Sequence, residues 1–284
     1  MNTEHKGSPR RKAGGCSMTD TKKLKLKFIG CEIIYREACY LAATTPHHVD
    51  VEFLRKGLHD LETADMNARV QAAVDAVDAA AGYDAIILGY ARCNDGLVGI
   101  QARNVPLVIP RAHDCITFFF GSRQAYREYF DCHPGTYYMT TGWSERNAFG
   151  DGQYSTPAYG KQGVMEKLGL ADSYDQMVQK YGKENADFIM ESMGDWTRNY
   201  RKLLYLKMFA PTAFDESGYI QHARRDAGEK NWEFELREGK WDLLRKLFYG
   251  QWDSDFVIIR PGMKLAARND EQILEAEPPA DSKD

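Results

Sequence analysis

Hydrophobic and polar positions alternate between strand-like and helix-like periods along the first half of the chain. Residues 24–30 (LKLKFIG) alternate and then turn apolar, which predicts a strand. A helix is expected over residues 33–43, ended by Pro46, and a short strand over 49–54 (VDVEFL). Met66, Val70, Val74 and Val77 recur at three- and four-residue spacing, predicting a helix over 63–81 that Gly82 stops. Residues 85–90 form an unbroken apolar run, the pattern of a central parallel strand buried on both faces. A short helix at 96–103, a strand at 107–110 (LVIP) and a helix at 115–130 with Phe118, Phe119, Tyr126 and Phe130 on it follow. Residues 136–141 (TYYMTT) read as a strand closing this half.

The second half repeats the alternation after an interruption. From Trp143 to about residue 169 the chain is rich in Gly, Ser and Tyr, predicting a long connection or an irregular lid. Helices are expected at 172–181 and 184–199, a strand at 203–209, a helix at 212–227, a strand at 232–236, a helix at 240–249 and a strand at 256–259. This order predicts an α/β protein of two Rossmann-like lobes with largely parallel sheets and a cleft between them. The expected boundaries are a disordered leader at 1–21, an N-terminal lobe at 22–145, a connection with helices at 146–200, a C-terminal lobe at 201–265 and an acidic mobile tail at 266–284. Within the leader, Met18 is an alternative start to Met1.

Composition narrows the function classes. The 284 residues are 43% hydrophobic and 27% charged, ordinary for a soluble globular protein. A net charge of −4 without a basic face gives no support to a nucleic-acid partner, and no apolar run is long enough for a membrane span. The first twenty residues carry no hydrophobic core of a secretory signal. Six cysteines in such a chain point to the reducing cytoplasm, where they serve as thiols, metal ligands or catalytic groups.

Three of these cysteines follow predicted strands: Cys31, Cys93 and Cys115. Carboxyl ends of parallel strands share one edge, along which open α/β sheets bind ligands, so the three are expected to meet. Cys31 is followed by Glu32, and a thiolate there would lie at a helix start. Cys93 lies in a loop with Tyr90, Asn94, Asp95 and Gly96, a composition suited to a ligand-binding turn. Cys115 ends the dense run Pro110-Arg111-Ala112-His113-Asp114-Cys115. His113 is a candidate ligand or acid/base, Asp114 a helix cap or acid/base group, and Arg111 a clamp for an anionic substrate group. Each cysteine alone also reads as a small buried hydrophobe; the joint placement favours function. Cys39 reads as core, and Cys132-His133 as a helix-end loop. Three thiolates with an open position suit a catalytic zinc, or a four-iron cluster with one iron free, although the local ferredoxin spacing is missing. No dinucleotide fingerprint, Walker A, H-E-x-x-H or G-x-S-x-G motif is present.

The stretches LGYARCNDGLVG (88–99), PRAHDCI (110–116) and FGSRQAY (120–126) resemble the DUF1638 domain family, with the likeness running over roughly residues 24–262. The matching positions are Cys31, Glu32, Gly89, Tyr90, Cys93, Gly96, Pro110, Arg111, Asp114, Cys115, Gly121, Ser122 and Tyr126; His113 is not among them. The resemblance adds Ser122 and Tyr126 as substrate contacts and implies an association with corrinoid-dependent methyl transfer. Together these readings give three expectations. The first is a zinc-thiolate enzyme of one-carbon (methyl) transfer or thiol activation, with Glu32, Asp114 and His113 in acid/base roles. The second is an iron–sulfur lyase or redox enzyme. The third is an accessory protein that binds a corrinoid, a metal or a small anion for a partner methyltransferase or corrinoid protein.

Overall fold

The computed structural model describes residues 22–279, except 57, 59–62, 94, 149–173 and 187–198. The expected leader and most of the expected lid lie outside the described residues. β1 (Lys25–Cys31) runs straight into a single 3-10 turn (Glu32–Ile34) and then α1 (Tyr35–Thr44). β2 (His48–Leu54), α2 (Thr63–Asp75), β3 (Ala85–Gly89) and β4 (Leu107–Pro110) follow. β3 and β4 are buried at every position, which is why their apolar runs are unbroken in the sequence.

After β4 come α3 (Ile116–Phe120), α4 (Arg123–Cys132), β5 (Thr136–Met139) and α5 (Thr141–Ala148), then α6 (Tyr174–Tyr181). The chain continues with β6 (Lys202–Lys207), α7 (Ser217–Glu229), β7 (Glu233–Glu238), α8 (Asp242–Phe248) and β8 (Phe256–Ile259). It closes with β9 (Lys264–Ala267) and β10 (Leu274–Glu277).

The architecture is mixed α/β. A five-stranded sheet has the order β2-β1-β3-β4-β8, parallel except where β8 runs antiparallel to β4. A second, three-stranded sheet, β5-β6-β7, is wholly parallel, and β9-β10 is an antiparallel pair. The sheets do not divide at the expected lobe boundary. β5, read as the close of the first lobe, pairs with β6, and β8, read as part of the second lobe, returns to β4. Neither exchange leaves a trace in local periodicity, because pairing partners are set by tertiary contact.

Four local expectations are corrected. The helix expected at 63–81 ends at Asp75, since Asp78 caps a separate turn (Ala79–Ala81) by accepting the Ala80 N–H. Residues 96–103 are turns, because their backbone groups bind elsewhere: the Val98 carbonyl accepts from Asn67, the Gln101 N–H donates to Gln71, and the Gly99 N–H donates to the Leu265 carbonyl. The helix expected at 115–130 is broken at Gly121, whose φ of 75° is left-handed, and restarts with Ser122 accepting the Ala125 N–H. The tail expected to be mobile from 266 forms most of the β9-β10 hairpin, held down by buried Leu265, Ile273 and Leu274.

One hydrophobic core joins the faces of the larger sheet to α1, α2, α3 and α8. Phe28 lies at its centre, with its ring across Gly30 and Gly89, a paired position of β1 and β3 where a Cβ would overlap that ring.

Candidate functional site

In the larger sheet the chain leaves β1 towards β2 on one side and leaves β3 towards β4 on the other. The strand order therefore reverses between β1 and β3, and this is where open α/β sheets form a ligand crevice at the strand carboxyl ends. All three singled-out cysteines lie on this edge. Cys31 is the last residue of β1, Cys93 follows β3, and Cys115 follows β4 directly before α3.

Backbone hydrogen bonds extend the pairing beyond the strands. The Arg92 N–H donates to the Ala112 carbonyl (2.9 Å) and the Cys93 N–H to the His113 carbonyl (3.1 Å), which locks the Cys93 loop beside the Cys115 loop. The Gly96 N–H then turns back to the Cys93 carbonyl (3.1 Å). This turn puts two non-glycine residues in the left-handed region, Cys93 at φ 45° and Asp95 at φ 64°. Such backbone costs on the order of 1–3 kcal/mol per residue and clusters at functional sites. Arg92 ties the turn together by donating to the Asp95 carboxylate and to the Arg268 carbonyl.

All three thiols are free, with Cys31 buried and the other two half-buried. Burial pushes Cys31 up to about 12, and a charge on Cys93 pushes in the same direction. Burial likewise pushes Cys93 up to about 12, reinforced by Asp114. Cys115 is raised well above the ordinary thiol value by burial, then by Cys93, Cys31 and Asp114. The three side chains thus lie within electrostatic reach of one another, and each is a neutral thiol at neutral pH. Among the described residues, no group of three or more His, Cys, Asp or Glu side chains is gathered closely enough to hold a metal ion in this arrangement.

Asp114 forms the polar arm of the site. One carboxylate oxygen accepts the Ile116 N–H (3.0 Å) and the Thr117 N–H (3.3 Å); the other accepts the Tyr126 hydroxyl (2.8 Å). The Tyr126 phenol is held far above its usual range by burial and by Asp114. Tyr138 packs on the Tyr126 ring, and its hydroxyl is buried without a hydrogen-bond partner. Ser122 contributes by starting α4, which carries Tyr126 to Asp114.

Other candidates take different places. The Arg111 guanidinium donates to the carbonyls of Phe256, Gln272 and Leu274, tying the C-terminal hairpin and β8 to β4. One Glu32 oxygen accepts the Lys56 N–H (2.8 Å), joining the turns after β1 and β2. Gly96 packs against Met66, where a Cβ would overlap the thioether. Tyr90 is buried, His113 is exposed, and Asn94 lies outside the described residues.

A cleft of about 1210 Å³ opens on the outer side of Asp114, walled by Arg92, His113, Thr117, Tyr126, Arg123 and Arg268 among others. It does not reach the cysteines, so Asp114 and its loop separate the open cleft from the buried thiols. Arg92, Arg123 and Arg268 were not sequence candidates. Arg268 belongs to the hairpin read as tail, and the apolar residues Leu265, Ile273 and Leu274 around it were the available clue.

Fold and site together define an α/β protein with three free thiols along the switch-point edge of its larger sheet. Residues 53–248 match the family described as "Protein of unknown function (DUF1638)", and the chain belongs to that family. The matched segment contains Cys93 and Cys115 and begins after Cys31. No curated protein and no solved structure matches the chain.

Proposed function

We propose that Cys31, Cys93 and Cys115 form a thiolate site for a thiophilic divalent cation, zinc first, in an enzyme of one-carbon (methyl) transfer or thiol activation. The observation that carries this reading is the arrival of three free thiols, one buried and two half-buried, from three separate strand ends at one switch point. The donor set suits zinc, since three protein ligands with an open fourth position is the pattern of catalytic sites. In the arrangement described the donors are not gathered closely enough, so ligation requires the three cysteine side chains to draw together.

Bound there, zinc would act as a Lewis acid and lower the proton affinity of a thiol or water. The chain's own part is to exclude water around the thiols, to hold the Asp114 carboxylate with two backbone N–H groups, and to keep the Tyr126 hydroxyl on it as a proton donor or acceptor. His113 and Arg92, which line the cleft beside Asp114, would meet a substrate bound there. On this reading the larger sheet works as a Rossmann-like unit in a reducing, cytoplasmic setting. The one-carbon assignment and a corrinoid protein or methyltransferase as partner rest on the family resemblance alone.

Elemental analysis of protein purified without oxygen tests the proposal. About one zinc per chain is expected, lost in Cys93→Ser and Cys115→Ser with the fold retained. Fewer than about 0.2 zinc per chain, with no uptake on titration, overturns it. A brown protein with visible charge-transfer absorption after reconstitution would replace zinc by an iron–sulfur cluster.

A further inference from the structure

A second buried polar region lies where elements of the two larger sheets meet. Glu37 on α1 has 0% exposure, and neither carboxyl oxygen has a hydrogen-bond partner. Its neighbours come from the other sheet's elements. Glu216, just ahead of α7, is 2% exposed and accepts from the N–H groups of Met208 (3.1 Å) and Phe209 (3.0 Å) and from the Thr141 hydroxyl. Thr141 also bonds the Tyr205 hydroxyl (2.9 Å). Glu145 on α5 is paired with Arg36 through both oxygens, at 2.9 and 2.5 Å, and the Arg36 guanidinium lies over the Phe214 ring.

The packing around this seam is close. Gly142 on α5 lies against the Ile33 carbonyl, where a Cβ would overlap the oxygen. On the same helix, the Ser144 hydroxyl is buried and also lacks a partner. The charged and titratable groups facing Glu37 are Arg36 on its own helix, Glu145 on α5, Glu216 before α7 and Tyr205 on β6. Three carboxyl groups therefore share this seam with one guanidinium, partly exposed, that is already bidentate to Glu145.

We infer that Glu37 is a proton-dependent latch: protonated, it lets α1 pack against α5 and the Glu216 turn, and ionised, it opens the seam between the two sheets. Burial pushes the Glu37 carboxyl up to about 8, with Glu216 and Glu145 adding to the push. The sign follows. A carboxyl raised on folding contributes its full stabilisation below its unfolded value of about 4.3, and loses it as pH rises through the folded value. Opening therefore becomes easier between neutral and alkaline pH. The seam adjoins the 3-10 turn that follows β1. The latch does not depend on whether the thiols bind a metal.

Amide exchange of the full chain, corrected for intrinsic rate, reads the latch directly. In wild type, exchange at residues 32–44 and 141–145 should rise from pH 6 to about pH 8 by up to about 100-fold, about tenfold per pH unit for one linked proton, and level off by about pH 9. Glu37→Gln and Glu37→Met should both lose that dependence. Two results overturn the inference: wild-type exchange that is flat over this range, or either folded variant keeping the wild-type rise.

Discussion

At the residue scale the most informative position is Cys93. Its thiol is half-buried and its backbone is left-handed, a conformation that a side chain with a Cβ adopts at a cost of roughly 1–2 kcal/mol. A residue kept there for backbone reasons alone would be glycine. Cys93→Gly should therefore be more stable than Cys93→Ala by about 1 kcal/mol in urea unfolding, while neither binds zinc. Equal stabilities would mean that the turn is not left-handed in solution. The sequence made the cysteines and Asp114 visible as candidates, because thiol, carboxylate and strand end can all be read locally. It could not show that Arg111 bonds the Phe256 carbonyl on β8 and the Gln272 and Leu274 carbonyls of the hairpin, more than 140 positions further on, and so ties these strands to β4.

At the element scale, α5 contributes to the joint between the sheets. Gly142 brings its backbone against the turn after β1. Gly142→Ala should cost about 3 kcal/mol, the upper range for overpacking, because the obstructing atom is a backbone oxygen that cannot rotate away. A loss below about 0.5 kcal/mol in urea or thermal unfolding would contradict this packing. α5 was hidden from sequence reading because Thr140 and Thr141 extend the β-rich run and Trp143 looks like the start of an irregular segment. Strands β3 and β4 were legible almost to the residue, since their burial imposes an apolar run, and β8 was legible from its four apolar residues although Ile258 is exposed. The break between α3 and α4 had a clue in Gly121-Ser122, a left-handed glycine followed by a cap, which the aromatic face on either side concealed.

At the scale of the whole molecule, the alternation of elements gave the α/β class, and pairing gave the rest. β5 and β8 each pair with a strand of the other expected lobe, so the chain crosses between the sheets more often than its periodicity implied. The hairpin beyond β8 is part of this construction. A chain ending at Gly262 loses buried Leu265, Ile273 and Leu274 and the Arg268 wall of the cleft. It should be less stable by roughly 5 kcal/mol in urea, given about 1.5–3 kcal/mol for each fully buried aliphatic side chain. Unchanged stability would show that the hairpin is dispensable. The return of β8 also bears on how the protein is made. During synthesis β4 emerges with an unpaired edge and waits while the rest of the chain up to Phe256 is translated, a matter of many seconds. An open apolar edge of that duration invites pairing with other nascent chains. Yield of folded protein is therefore expected to depend on the speed of translation and on chaperone supply as well as on the stability of the finished fold.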